Sequence, residues 1–92
     1  MPVQWDEEKS RANLDKHGLS FDDAWQVLAG DTITIPDERY DYGEDRLITL
    51  GRLAGRLVVV VHVARGEHTR IISMRKANAR EQAIYQKRLS QN

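Results

Sequence analysis

The sequence predicts an α+β fold: two N-terminal helices, a twisted antiparallel sheet of about four strands, and a C-terminal helix. Three observations carry the prediction. Helix caps and stops cluster near the two ends of the chain. Apolar residues between about 46 and 75 follow strand spacing rather than helix spacing. The connections between those strands are short and contain glycine.

Taken in order, Val3–Trp5 reads as a short edge strand. Asp6 suits an N-cap, with Glu7 and Glu8 placed for the helix dipole, and the helix of about 7–17 ends at Gly18. Its only apolar members are Ala12 and Leu14. Lys9, Asn13, Lys16 and His17 share one face at i, i+4, i+7 and i+8, beside the opposite-sign pairs Glu7–Arg11 and Arg11–Asp15. Ser20 and Asp23 resemble a capping box opening a second helix that runs to Ala29 before Gly30. Phe21, Ala24, Trp25 and Leu28 form its core-facing stripe, so Phe21 and Trp25 are expected in the core.

Thr32–Ile35 is rich in β-branched residues and reads as a strand stopped by Pro36. The acidic stretch Asp37–Asp45, with Tyr40, Tyr42 and Gly43, reads as an exposed loop. Strands of about 46–52, 56–64 and 68–75 follow, joined by hairpins and therefore antiparallel. The middle strand is apolar on both faces apart from His62, which places it inside the sheet. Asn78 and Glu81 form a second capping pair for a helix to about Leu89, whose apolar face is thin.

The 92 residues suit one domain, 1–92. Without cysteine there is no disulfide framework and no thiolate metal site, which fits a reducing cytoplasm. Met1 to Asp6 has neither the basic start nor the apolar run of a signal peptide. The longest apolar run, Leu57–Val61, is far too short to span a membrane. The net charge of zero hides a segregation. Residues 1–45 carry four Lys/Arg against twelve Asp/Glu, and residues 46–92 carry ten against two. Either the halves neutralise each other on folding, or the second offers an arginine-rich surface to phosphate.

His17, His62 and His68 show no metal-ligand spacing, and no phosphate-binding glycine loop or nucleophile elbow is present, so no metal and no cofactor is expected. What remains is arginine on strands. A period of two puts Ile71, Ser73 and Arg75 on one face of the last strand and Arg70, Ile72 and Met74 on the other. Arg46 and Arg52 bracket the preceding strand on its Ile48/Leu50 face. Guanidinium forks hold phosphate oxygens in two-point contacts, but the same arginines can equally pair with acids of the first half. His17 is explained by its helix C-terminus alone; with Lys9 on the same face it becomes a proton-transfer and phosphate pair. His62 reads as a satisfied core histidine and His68 as solvated.

Several of these residues together resemble the BrnT family of bacterial ribonuclease toxins. The resemblance runs through Trp5-Asp6, Lys9, Asn13-Leu14, Lys16-His17-Gly18 and Ser20-Phe21, then Arg46, Ile48 and Gly51, then Val59-Val60-Val61-His62. It closes on Arg70-Ile71-Ile72-Ser73, Arg75-Lys76-Ala77, Arg80-Glu81 and Tyr85, so nearly the whole chain is covered in order. The resemblance implies a fold similar to the RelE group of toxins and a metal-independent RNA endonuclease. It also implies a BrnA-type antitoxin with a ribbon-helix-helix part, through which operator DNA is bound. In such an enzyme the ribose 2′-hydroxyl attacks the adjacent phosphorus, which needs a base, a cationic clamp and an acid for the leaving oxygen. The assignments are Arg75 and Arg46 as clamp, Lys9 as a further phosphate contact, and His17 as acid or base. Lys16, Arg52, Lys76, Arg80 and Tyr85 are the expected substrate contacts, Tyr85 by stacking on a base, although a tyrosine on a helix is more often core. The near-neutral pI departs from the more basic toxins of this kind, and the acidic loop would either weaken RNA binding or meet basic antitoxin residues. The competing reading is a non-catalytic protein-binding module of the same fold. A DNA-binding accessory subunit ranks below both, because only the C-terminal helix carries clustered basic residues.

Overall fold

The structure, a computed structural model, describes residues 3–37 and 43–90. The elements are β1 (Val3–Gln4), α1 (Glu7–His17), a 3-10 turn (Phe21–Asp23) leading into α2 (Ala24–Ala29), β2 (Ile33–Pro36), β3 (Arg46–Leu53), β4 (Arg56–Arg65), β5 (His68–Lys76) and α3 (Ala79–Ser90). The class is α+β, as expected. The sheet, however, has five strands in the order β1-β5-β4-β3-β2 and is mixed, because β1 runs parallel to β5 through Val3↔Thr69 and Gln4↔Arg70. A three-residue run carries no signal of direction, and the helices between β1 and the sheet allow a parallel return.

β4 lies at the centre, which is why it is apolar on both faces. On one side Val58, Val60, Ile71 and Met74 pack with Phe21, Ala24 and Val27 of the N-terminal helical layer. On the other, Val59, Val61, Ile48 and Leu50 pack with Ala77 and with Tyr85 of α3. Gly51 marks the tightest approach: a Cβ there would lie 2.9 Å from Val27 Cγ1 and 3.1 Å from the Val27 carbonyl oxygen. Pro36 is part of β2 rather than its stop, opposite Leu47, and an edge strand tolerates its missing N–H.

α1 has almost no apolar face and docks through polar side chains instead. Asp6 caps it by accepting from the Glu8 and Lys9 N–H groups. Buried Ser10 accepts from the Phe21 N–H at 3.1 Å. Buried Asn13 donates to the Leu19 carbonyl at 2.8 Å and accepts from the Met74 N–H of β5 at 3.1 Å. Each of these bonds satisfies a backbone group that the sheet and helices leave over.

Three side-chain placements depart from the sequence reading. Trp25 is 60% exposed, not in the core. The 3-10 turn advances three residues per turn, so the buried stripe is Phe21, Ala24 and Val27, and Trp25 is rotated outward. In β5 the strict alternation fails because Val61 pairs with Ser73 while His62 pairs with Ile71, leaving Ile72 as the extra residue of a bulge. Ile71 therefore joins Met74 in the helical-side core, while Ser73 and Arg75 lie opposite Val61 and Val59. Asp37 is buried, its N–H bonded to the Arg46 carbonyl at 2.9 Å, so the expected acidic loop is not exposed throughout. Tyr40 and Tyr42 of that loop lie outside the described residues.

Candidate functional site

The cap at Asp6 sets the rotation of α1, and Asn13 fixes it against β5. The result is an open depression of about 250 Å³ lined by Lys9, Asn13, Lys16 and His17 on the helix and by Ile72 and Ser73 on the strand. The helical face read from the sequence is thus assembled against the bulge. His17 is half-buried in the last turn of α1, and Lys16 precedes it there. Among the described residues neither Lys9 nor Lys16 has a carboxylate partner.

Arg75 leaves β5 two residues beyond Ser73, roughly 7 Å along the strand. Its Nη1 and Nη2 donate to Glu81 Oε1 and Oε2 at 2.7 and 2.8 Å, a fork-to-fork pair. Glu81 is fixed in turn by the capping box: its Oε1 accepts from the Asn78 N–H at 2.9 Å, and the Glu81 N–H donates to Asn78 Oδ1 at 2.8 Å. The guanidinium is therefore held in one orientation, and its charge is offset by a carboxylate.

Beyond Arg75 a second concavity opens, about 320 Å³ in volume, between the β3–β4 hairpin and α3. Arg52, Arg56 and Lys76 line it, with Gln82, Tyr85 and Gln86. None of these three cations has a carboxylate partner among the described residues. Arg52 and Arg56 flank the two-residue turn of Ala54 and Gly55, both with positive φ, and pair with Leu57 and Leu53, so they leave opposite faces of the hairpin and line the concavity from its tip.

The remaining expected residues are placed elsewhere. Arg46 pairs with Val63 in the β3–β4 register, whereas Arg75 pairs with Val59 in the β4–β5 register, so the two are roughly 15 Å apart by strand spacings. The structure does not bring them into one clamp, and Arg46 lies 3.8 Å from Glu44, which also binds Arg65 at 3.1 Å. Arg80 is exposed in the first turn of α3. Tyr85 is only 2% exposed, with its hydroxyl donating to the Asp31 carbonyl at 2.7 Å and the Arg52 guanidinium 5.6 Å from its ring centre. Its ring secures α3 to the sheet and offers no open face for a base, contrary to the stacking expectation.

His62 is buried at 9% exposure, and its Nε2 lies 2.7 Å from Thr49 Oγ1, which is 2.8 Å from Thr34 Oγ1. Burial lowers its pKa. This hydroxyl–imidazole chain crosses three strands on the face of the sheet that carries α1 and α2, and it satisfies the ring as the sequence suggested. His68 is exposed at a hairpin end.

Sequence reasoning missed Arg56 and the second task of Glu81. Arg56 carries no pattern of its own and joins the cluster only through the hairpin. The Asn78–Glu81 spacing announced a cap but not that the same carboxylate would meet Arg75. The described residues contain no group of three or more His, Asp or Glu placed to hold a metal ion, and no helix among them is long and apolar enough to cross a membrane.

No curated protein matches the chain. Residues 5–81 match the family described as ribonuclease toxin, BrnT, of type II toxin-antitoxin system. That span contains α1, the whole sheet from Trp5 onward, Arg75 and Glu81. The chain belongs to the BrnT family of ribonuclease toxins of type II toxin–antitoxin systems.

Proposed function

We propose that the chain is an endoribonuclease that cleaves RNA without a metal ion, inhibits translation by cutting messenger RNA, and is neutralised by a BrnA-type antitoxin. The observation that carries the reading is the convergence of Lys9, Lys16 and His17 on Ser73 of β5 in one open depression. Two ammonium groups with no carboxylate partner among the described residues, together with an imidazole, beside Ser73 of the strand are suited to a phosphodiester. Lys9 and Lys16 hold the phosphate oxygens, and His17 carries the proton between the 2′-hydroxyl side and the leaving oxygen. Arg75, oriented by Glu81, adds a fixed cation two residues along β5 as the charge develops. Arg52, Arg56 and Lys76 then hold the phosphates of flanking nucleotides, a sequence-independent contact. Arg46, at the far end of the sheet, does not belong to the clamp in this reading.

The test is to incubate the purified chain in EDTA with an RNA oligonucleotide and its DNA counterpart. Cleavage of the RNA alone is expected, since only the ribose 2′-hydroxyl supplies the nucleophile. Intact RNA with a folded chain would remove the metal-independent reading. A chain that arrests growth while leaving messenger RNA intact in cells would remove the messenger assignment.

A further inference from the structure

The surface around α2 has a character opposite to that of the cationic side. Between Lys16 and Arg39 the sequence contains no Lys or Arg, while it contains Asp22, Asp23, Asp31, Asp37 and Glu38. Asp22 and Asp31 are exposed and Asp23 half-exposed, and none of the three has a cationic partner among the described residues. Between them in the chain stands Trp25, 60% exposed. Beside it Val3, Leu28 and Ala29 complete an apolar hollow of about 300 Å³. Leu28 also lines a second hollow of similar volume that continues over the sheet to Thr34, Leu47 and Thr69. The two form a trough, apolar at the Trp25 end and hydroxyl-lined at the other.

An exposed tryptophan over an apolar hollow, with surface aspartates at 22, 23 and 31 on either side of it in the chain, is an unfavourable surface for an isolated chain and a common anchor of protein interfaces. We infer that this trough is the docking surface of the antitoxin, which seats an apolar side chain against Trp25 and Leu28 and lays Lys or Arg against Asp22, Asp23 and Asp31. The inference rests on the toxin reading above and adds to it where the partner binds. Charge complementarity selects this occupant. A basic segment is drawn to Asp22, Asp23 and Asp31 and repelled by Arg52, Arg56 and Lys76, whereas RNA is sorted the other way. The antitoxin thus grips the toxin on a surface separate from the α1–β5 depression, and anchoring is distinct from blocking the site.

The test uses the full chain and the antitoxin produced with it. Trp25→Ala is expected to weaken the complex by about 30-fold or more, as loss of a central aromatic anchor does, while RNA cleavage by the free chain is unchanged. Asp22→Lys with Asp23→Lys, which leaves Trp25 in place, is expected to slow association and flatten its salt dependence. Equal antitoxin affinity in wild type and both variants would overturn the docking surface while leaving the toxin reading intact. A wild-type chain that binds no antitoxin would overturn the toxin reading itself. If Trp25→Ala instead dissolves a self-association of the free chain without affecting the antitoxin, the trough belongs to a second copy and the inference fails.

Discussion

Glu81→Ala is the substitution whose cost the structure specifies best. The carboxylate accepts two hydrogen bonds from Arg75 and one from the Asn78 N–H, and the side chains of Arg75 and Glu81 are 26% and 16% exposed. Loss of the capping contact costs about 1 kcal/mol. Loss of a charge-assisted fork costs about 1.5–3 kcal/mol when buried, and partial exposure places this pair at the low end. The expected destabilisation is about 2–3 kcal/mol, which in a domain of this size lowers Tm by roughly 8–20 °C. Arg75→Ala should cost less, because Glu81 keeps its bond to Asn78 and remains partly hydrated. The double variant should cost less than the two singles together by about 1 kcal/mol or more, since the fork is counted in both. Urea and thermal unfolding of the four proteins measure this cycle. A coupling within about 0.3 kcal/mol of zero would refute the claim that Glu81 holds Arg75.

Two further outcomes follow from buried groups. His62 has a folded-state pKa below its ordinary value of 6.5, so the unfolded chain takes up its proton first as pH falls. Its contribution to stability is therefore complete above about pH 6.5 and is lost below it; His62→Gln, which can keep the bond to Thr49, should show a shallower loss between pH 7 and 5, and identical slopes would contradict the assignment. Gly51→Ala should destabilise by about 1–3 kcal/mol, because the new methyl meets the Val27 carbonyl as well as its side chain and α2 must shift; unchanged urea midpoints would show that the layer is not closely packed there.

Much of the fold was legible because it rests on local signals. Asp6 and Gly18 bracket α1, the glycine-bearing hairpins delimit β3 to β5, and the double-sided apolar run of β4 announces a central strand. What escaped depends on long-range geometry. The parallel pairing of β1 involves residues some 66 positions apart, Val3 with Thr69, and nothing near Val3 encodes it. The bulge at Ile72 is visible only once β4 and β5 are paired, and it decides that Ile71 faces the helices while Arg75 faces α3. Trp25 points outward because a 3-10 turn and an α-helix share a composition but differ in period.

The candidate site is legible in the same uneven way. Lys9, Lys16 and His17 share a helical face by spacing alone, so the sequence sufficed to group them. Arg46 and Arg75 were grouped by residue type, and the register separates them. Charge segregation along the chain was the better guide. It survives folding in part: Asp22, Asp23 and Asp31 lie on the surface, and among the described residues Lys9, Lys16, Arg52, Arg56 and Lys76 have no carboxylate partner, while Glu44 of the first half pairs with Arg46 and Arg65.

The claim that the α1–β5 depression is the cleaving site is tested most directly by comparing RNA cleavage rates of His17→Ala and Arg46→Ala with wild type. Removing a proton-transfer group should slow cleavage by about 100-fold or more, while Arg46→Ala should stay within a few-fold of wild type. Full activity in His17→Ala, with activity lost in a folded Arg46→Ala, would move the site to the other end of the sheet and contradict the account.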